Sequence, residues 1–210
     1  MTASRDARRS LIMTSAECVL QAAGPAGMKL RDVARKAGVS PGTIYFYFSS
    51  KEELMATMLT SRIDTISEVL SRPGHGATPL DPAQYLAMLM PHITALFRDF
   101  EQGLEEWTRA PGDVVAEAVT AQLGVSFTAL VTQIVDQFSV AAATTGVTID
   151  QSPESAQFIW TVLIGMAQQE VNAIHASFGT TPEKFTVVAA RALVAGLGLD
   201  SVASNEETNR

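Results

Sequence analysis

The stretch of chain from residue 29 to residue 51 (KLRDVARKAGVSPGTIYFYFSSK) restricts the possible folds more than any other part of the sequence. It contains two short segments with helical spacing, Leu30–Ala37 and Pro41–Phe48, with only three residues between them. Gly38 follows the first segment, where a left-handed residue commonly ends a helix, and Ser40 precedes the second, where a hydroxyl commonly caps one. The pattern predicts two helices that cross over a tight turn.

Such a crossing needs small residues where the helices approach each other and apolar residues that hold them together. Ala34 and Ala37 are the small residues of the first helix. The apolar residues expected to lock the pair are Val33, Val39, Ile44 and Phe48. The second helix starts with Pro41, Gly42 and Thr43, whose small side chains would let a nucleic-acid backbone or groove come close.

Helical spacing continues through most of the chain, and strand signals are almost absent. Besides the two helices above, the pattern predicts helices at about Arg5–Ala23, Ser50–Leu70, Pro82–Phe100 (with an interruption near Pro91), Gln102–Arg109, Asp113–Thr144, Pro153–Phe178 and Pro182–Leu197. Ser50, with Glu53 three residues later, forms the pattern of a capping box. The sequence therefore predicts an all-α fold.

The charge of the chain is unevenly distributed. The net charge of the whole sequence is −7, which argues against a nucleic-acid partner because DNA affinity comes largely from Lys and Arg on phosphates. Residues 1–53, however, hold eight basic and five acidic residues and carry +3, whereas residues 54–210 carry −10. We therefore expect a DNA-binding domain at residues 1–53, a larger helical domain at 54–200 and a disordered polar tail at 201–210.

The composition excludes several classes of protein. A single Cys rules out a disulfide framework. The longest nearly apolar run, Phe158–Ala167, is far shorter than the ~20 residues of a membrane span, and the amphipathic first helix is not a signal peptide. His92 and His175 lack the spacing of metal ligands. The sequence thus predicts a cytoplasmic protein that needs no metal or cofactor and has no membrane partner.

Residues 38–42 (GVSPG) also satisfy the G-x-S-x-G pattern of serine hydrolases. In those enzymes the Ser follows a β-strand and precedes a helix. The residues before Ser40, Arg31–Ala37, have helical spacing instead, and none of the three His residues has the context of a catalytic triad. We therefore predict that the protein is not an enzyme.

Residues 8–59 resemble the DNA-binding domain of the TetR family of bacterial transcriptional regulators. The likeness is most specific at residues 37–54 (AGVSPGTIYFYFSSKEEL), which carry the Gly, Thr, Tyr, Phe, Lys and Leu of the family's characteristic block at the expected spacing. The resemblance implies a three-helix DNA-binding domain with a helix-turn-helix, joined to a larger helical domain that binds a ligand and dimerises. One departure concerns the first motif helix, which the family usually caps with Thr or Ser, whereas this chain has Met28-Lys29-Leu30.

The same resemblance assigns the DNA-binding residues, which are Lys29, Arg31, Ser40, Pro41, Gly42, Thr43, Tyr45, Phe46, Tyr47 and Lys51. Tyr45 and Lys51 would contact phosphates, and Arg31 matches a position that often touches DNA. Lys29 is expected to replace, through its charge, the phosphate contact of the missing cap. The residues that would lie toward the major groove are Thr43, Phe46 and Tyr47.

For the larger domain the resemblance implies a ligand pocket between the middle helices. The candidate lining residues are Met88, His92, Leu96, Phe100, Leu104, Trp107, Phe127, Val131 and Trp160, with Gln168 and His175 as polar groups. For each of these residues an ordinary core or interface position is the alternative. A pocket with so few polar groups would suit a small, mostly apolar effector.

The last two predicted helices are expected to pair with those of a second copy of the chain. The helix around Phe158–Ala167 is apolar on nearly every side and therefore needs cover on two faces. The candidate interface residues are Leu163, Met166, Ala167, Val188, Ala192 and Ala195. The alternative is that this helix forms only the core of a single chain. A homodimer would also match a palindromic operator, whose half-sites repeat every ~34–36 Å.

Together these observations predict a homodimeric regulator of transcription that responds to a ligand. The first hypothesis is a repressor that a small, mostly apolar effector releases from a palindromic operator in double-stranded DNA. The alternative is a regulator of the same fold that activates transcription or needs no effector. A small-molecule carrier or a hydrolase is a third class.

Overall fold

The computed structural model describes residues 2–71, 80–109 and 117–198, with the backbone alone for residues 2–4, 25 and 101–109. Within these ranges the helices are α1 (Thr2–Gly27), α2 (Leu30–Ala37), α3 (Pro41–Tyr47), α4 (Lys51–Ser71), α5 (Pro82–Arg109), α6 (Glu117–Ala143), α7 (Pro153–Val171), α8 (Ile174–Ser177) and α9 (Pro182–Leu197). Apart from one isolated antiparallel bridge between Ile149 and Gly198, the described residues contain no β-structure. The predicted all-α fold is confirmed. The tail predicted at residues 201–210 lies outside the described residues.

The chain forms two compact units, and α4, α5 and α6 each contribute residues to both. The first unit comprises Met1–Glu68 and Ala95–Ala129, and the second comprises Val69–Thr94 and Leu130–Arg210. Each unit is held together by contacts between residues of the same chain. The predicted boundary between a DNA-binding domain and a larger domain after residue 53 stays a prediction.

The core of the first unit includes one face of α1. Ile12, Ala16 and Leu20 recur at four-residue spacing, so they lie on the same side of the helix, and all three are buried. α1 packs against α2. Further buried side chains of this unit are Val33, Ile44, Phe48, Leu54, Met58, Leu59 and Ile63. Each large apolar side chain that is buried in this way contributes about 1.5–3 kcal/mol.

α1 ends in two steps. Gly24 has φ 69° and ψ 172°, a conformation that interrupts the helix and that residues with a side chain rarely adopt. One further turn reaches Gly27, and Met28 N donates to the Gly24 carbonyl at 3.1 Å. The regular part of α1 therefore ends at the predicted residue, Ala23, although a helical turn follows it.

The second unit is built around buried parts of α5, α6, α7 and α9. Tyr85 Oη donates to the Ile134 carbonyl at 3.3 Å and so joins α5 to α6. Burial raises the pKa of the Tyr85 phenol, which therefore remains a donor throughout the physiological range. The buried apolar side chains of the unit include Leu86, Leu89, Ile93, Ile134, Phe138, Leu163, Ala167 and Leu193.

Among the described helices, α6 alone has the length and apolar composition that would allow a helix to cross a membrane. The core helices of soluble proteins meet the same criterion, so the finding concerns composition only. Two polar side chains of α6 are used within the second unit: Gln133 Nε2 donates to Ser71 Oγ and Gln137 Nε2 donates to the Leu70 carbonyl, both at 2.7 Å. The absence of a membrane partner stays a prediction.

α5 runs without a break from Pro82 to Arg109, so the predicted interruption near Pro91 and the predicted separate helix at residues 102–109 are wrong. A proline inside a helix removes one backbone N–H and crowds the preceding turn, at a cost of about 3 kcal/mol. Pro91 lies on an exposed side of α5, whereas Leu89 and Ile93 on either side of it are buried. Burial of the neighbouring residues offsets the cost of the proline.

The helix predicted at Pro153–Phe178 is wrong in its last part. α7 ends at Val171, and Ala173 adopts a left-handed conformation with φ 51° before the single turn of α8. Asn172 is the one residue at this point whose type favours a helix end. Without a Gly or Pro beside it, the sequence pattern did not indicate the break.

Candidate nucleic-acid interface

α2 and α3 meet over the turn that the sequence predicted. Gly38 has φ 65° and ψ 32°, in the left-handed region, and Val39 N donates to the Ala34 carbonyl at 3.0 Å. The turn therefore satisfies backbone groups at the end of α2 while it changes the direction of the chain. Ile44 and Phe48, two of the residues predicted to lock the helices together, are buried.

α3 begins with the predicted cap. Thr43 N donates to Ser40 Oγ at 3.2 Å, and the Ser40 and Thr43 hydroxyl oxygens lie 2.9 Å apart. Pro41 occupies the first helical position, where a backbone N–H would have no partner within the helix. The first turn of α3 is thus fixed by its own residues.

The outward side of α3 is aromatic. Ile44 is the one fully buried residue of this short helix. Tyr45 and Phe46 are 58% and 67% exposed, values that are unusual for large aromatic side chains. The Phe46 ring meets the Tyr47 ring edge to face, with 5.2 Å between the ring centroids and an angle of 85° between the planes. α3 therefore offers an ordered apolar surface to an outside partner.

The basic residues of α2 and of its N-cap differ in whether a carboxylate of the same chain pairs with them. Lys29 is the exposed N-cap of α2 and makes no side-chain capping bond, as the sequence predicted. Arg31 is exposed, and no ion pair involves it within the described part of the chain. Arg35 is different, because its Nη2 lies 2.8 Å from Asp32 Oδ1 and its charge is partly compensated.

The start of α4 is held by serine and glutamate side chains. Glu53 N donates to Ser50 Oγ at 3.0 Å, which confirms one half of the predicted capping box. The Glu53 carboxylate accepts from Ser49 N at 2.8 Å and also from the Ser49 hydroxyl, so the other half of the box is displaced by one residue. These bonds fix Lys51 at the first position of α4, half-buried beside the end of α3.

The structure brings the predicted DNA-binding residues to the α2–α3 region of the first unit. Those that are exposed are Lys29, Arg31, Ser40, Pro41, Gly42, Tyr45 and Phe46, and those that are half-buried are Thr43, Tyr47 and Lys51. None is part of the buried core. Whether each of them contacts DNA stays a prediction.

Sequence reasoning missed two basic residues beside α3. The Arg5 guanidinium lies 5.3 Å from the centroid of the Phe46 ring, and the Arg9 guanidinium lies 5.2 Å from that of the Phe48 ring. Arg5 and Arg9 are four residues apart on α1 and therefore share one face of that helix. Their spacing was the available signal, but the sequence alone did not indicate which aromatic residues they would meet.

The predicted ligand-binding residues are spread over both units. Met88, His92, Val131, Trp160 and His175 are half-buried in the second unit, where Gln168 is exposed. In the first unit, Leu96 and Phe100 are buried and Phe127 is exposed. The side chains of Leu104 and Trp107 lie outside the described residues. Ligand contact stays a prediction for all of them.

The described residues of the second unit form a small recess and a larger groove. One has room for about one water molecule, at about 10 Å³, and His175 lines it together with Glu170, whose carboxylate accepts from Thr94 Oγ1 at 2.9 Å. The other is an open groove of about 670 Å³. Its lining, which sequence reasoning did not identify, consists of Asp81, Pro82, Ala83, Thr145, Val147, Val187, Ala190, Arg191, Val194 and Ala195.

The predicted dimer residues fall into two groups. Leu163, Met166 and Ala167 are buried by their own chain, so these side chains have no surface left for a partner. The structure leaves Val188, Ala192 and Ala195 of α9 exposed. The three α9 residues remain candidates for a dimer interface, whereas the three α7 residues have no exposed surface for one, and the interface itself stays a prediction.

The described residues do not have the geometry of the hydrolase alternative. Ser40 follows the helix α2 and a turn rather than a β-strand, and its Oγ caps α3. No group of three or more His, Cys, Asp or Glu side chains in the described ranges could hold a metal ion. The surface instead has the features of a helix-turn-helix protein, with a short capped helix turned outward and basic side chains near it.

The comparisons with known proteins agree with this class. Residues 12–58 match the profile of the bacterial regulatory proteins of the tetR family. The regulator ArpR of Pseudomonas putida is 34% identical over 82 residues, which cover 39% of each chain. EthR of Mycobacterium tuberculosis is 41% identical over 56 residues, or 27% of this chain and 26% of EthR. The match covers about two-fifths of the length of ArpR at most, and the likeness to the tetR family lies in the N-terminal part of the chain, residues 12–58.

Solved structures extend the likeness of the fold to nearly the whole chain. A Rhodococcus sp. RHA1 protein of unknown function has a TM-score of 0.65 at 21% identity, covering 91% of this chain and 96% of that one. FadR of Bacillus subtilis in complex with stearoyl-CoA has a TM-score of 0.52 at 16% identity, covering 90% and 98%. At these identities the likeness concerns the fold alone.

Proposed function

We propose that the protein is a DNA-binding repressor of transcription that acts in the cytoplasm as a homodimer and leaves its operator when a small molecule binds. The observation that carries the proposal is the outward side of α3. Tyr45 and Phe46 are exposed there on a helix whose turn and cap are fixed by Gly38 and Ser40. A rigid helix with exposed aromatic side chains is suited to the major groove, which admits one helix.

DNA contact divides into two kinds. Lys29, Arg31 and Lys51 would bind phosphates, with the Tyr45 hydroxyl as a neutral donor, and these contacts set affinity and register. Thr43, Phe46 and Tyr47 would meet base edges, and Phe46 is suited to the methyl group of thymine. The residues that allow close approach are Ser40, Pro41 and Gly42.

The dimer would form through α7 and α9. Phe158 on α7 is 48% exposed and Val188 on α9 is 58% exposed, and Ala192 and Ala195 lie on the same exposed side of α9 as Val188. Apolar surface of this kind is stabilised when a second copy covers it. Two copies would present two α3 helices to the two halves of a palindrome.

The effector would be apolar for the most part. Met88, His92, Val131 and Trp160 supply half-buried apolar or aromatic surface with one titratable group. FadR, a neighbour in fold, is described with stearoyl-CoA, which makes an acyl chain one class of ligand to try. The effector would act by binding better to a state in which the two α3 helices do not match the operator. A regulator that activates transcription or has no effector is the alternative.

The DNA-binding part can be tested by selecting duplexes from a random library with the full-length protein and measuring affinity against salt. Arg31→Ala should weaken binding to every sequence and lower the slope of log affinity against log salt by about 1. Arg35→Ala is the matched control, because it removes the same charge one turn later where Asp32 already compensates it. Its effect should be smaller. Failure of the wild-type protein to enrich any duplex, or binding that does not respond to salt, would contradict the proposal.

A further inference from the structure

Arg5 and Phe46 join α1 to the outward side of α3. Their contact has the geometry of a cation–π interaction, since the guanidinium carbon is within about 6 Å of the ring centroid. The ring of Phe46 also meets Tyr47 edge to face. Phe46 is therefore in contact with two side chains although 67% of it is exposed.

A guanidinium that stacks on a ring keeps its hydrogen-bond donors. The five N–H groups of Arg lie in the plane of the guanidinium, and stacking uses the face of that plane. Within the described residues neither Arg5 nor Arg9 forms an ion pair with a carboxylate. Arg5 is exposed. Its N–H groups thus remain available to a phosphate beside α3.

Phe46 is expected to read a base, so the conformation of its side chain matters for recognition. An exposed Phe on a helix can occupy more than one rotamer, and each rotamer would place the ring differently against a base edge. The contacts with Arg5 and Tyr47 favour one of these rotamers. A fixed ring discriminates a thymine methyl group from other base edges better than a mobile one.

We propose that Arg5 is a positioning residue for Phe46 and at the same time a phosphate-binding residue, so that the early turns of α1 belong to the DNA-reading surface. This inference rests on the proposed function, because it concerns how α3 reads DNA. Arg9, which contacts the buried Phe48, would hold α1 beside α3 in the same way. The N-terminal basic residues then contribute to sequence preference as well as to charge.

The test compares Arg5→Ala with Arg8→Ala in the full-length protein. Arg8 is exposed on the same part of α1, carries the same charge and has no ring contact among the described residues. The probes are the duplex that the wild-type protein enriches from a random library and the same duplex with single-base changes. Thermal unfolding of each variant shows whether the fold is retained.

Both variants should bind more weakly at low salt, since each loses a positive charge near DNA. Only Arg5→Ala should also reduce the discrimination between the enriched duplex and its variants, by about two- to five-fold at the position that Phe46 reads. Arg5→Lys should restore the salt dependence but not all of the discrimination. In free protein, Arg5→Ala should shift the aromatic proton resonances of Phe46, and Arg8→Ala should not.

A double-variant measurement separates positioning from charge. In a Phe46→Ala background, Arg5→Ala should no longer change base discrimination, although it should still weaken binding. Equal discrimination in wild type and Arg5→Ala would overturn the proposal while leaving the DNA-binding function intact. A wild-type protein that enriches no duplex would instead contradict the proposed function itself, and this inference with it.

Discussion

The helix α3 and the pair α7 and α9 start with the same local signal but differ in how well the sequence predicts which of their faces is buried. Ser40, Ser152 and Thr181 each accept a hydrogen bond from the backbone N–H three residues later, and a Pro occupies the next position in each case. Ile44 is the one fully buried residue of α3, and Tyr45 and Phe46 are left exposed. α7 is apolar on nearly every side, and packing within the chain decided which side was covered.

The difference shows that local signals fix where a helix starts, whereas burial fixes which face is available. Tyr45 and Phe46 were predicted to face outward, and both are exposed. Leu163 and Met166 were predicted to meet a partner, and both are buried by their own chain. Substitution of two residues of one type, such as Phe48 and Phe46 or Ser40 and Ser152, tests this contrast.

The largest effect is expected for Phe48, which is 1% exposed, against Phe46, which is 67% exposed. Phe48→Ala should lower the free energy of unfolding by about 3–5 kcal/mol, because it leaves a cavity in the core of the first unit. Phe46→Ala should lower it by less than about 1 kcal/mol. Urea unfolding followed by circular dichroism measures both. Similar losses for the two variants would show that α3 does not turn Phe46 outward.

A smaller effect is expected for the two serine caps. Ser40→Ala and Ser152→Ala each remove a side-chain bond to a helix N–H and should each cost about 1 kcal/mol of stability. Only Ser40→Ala should also weaken binding to the selected duplex, because only α3 would touch DNA. Binding measurements on both variants at one protein concentration are the check. Equal losses of affinity would point to a general effect of stability and not to a role of α3.

The smallest effect concerns Asp150, beside the cap of α7. Hydrogen bonds from the Ser152 hydroxyl, at 2.6 Å, and the Ser155 hydroxyl, at 2.8 Å, lower the pKa of this carboxyl below its usual 3.8. Its contribution to stability is therefore complete above the unfolded-state pKa and is lost as the pH falls through the lower folded-state pKa.

Asp150→Asn should reduce the midpoint of urea unfolding at about pH 7, and the difference from wild type should shrink toward about pH 3. A difference that stays constant over this range would mean that the charge of Asp150 has no part in holding the loop before α7. Ser61→Ala, on an exposed site of α4, serves as a control for effects of low pH that do not involve Asp150.

The sequence predicted features that depend on neighbouring residues and did not predict features that depend on contacts between distant parts of the chain. α2 and α9 have the predicted bounds, since a glycine follows each of them and α9 also has a capping Thr and a proline at its start. The break at Ala173 was missed because a left-handed Ala depends on surrounding contacts rather than on residue type. The contact of Arg5 with Phe46 joins residues 41 positions apart, and no local pattern reports it.

A comparison of two exposed phenylalanines, Phe46 on α3 and Phe158 on α7, tests whether α3 reads DNA. The base preference of wild type, Phe46→Ala and Phe158→Ala would be measured on the same random duplex library, with the molecular mass of each variant in solution. Phe46→Ala should keep the mass of the wild type and lose the preference at one or more base positions. Phe158→Ala should keep the preference within a half-site and shift the mass toward that of a single chain. If Phe46→Ala enriches the same sequences with the same affinity as wild type, α3 does not read DNA through Phe46 and the proposed function is contradicted.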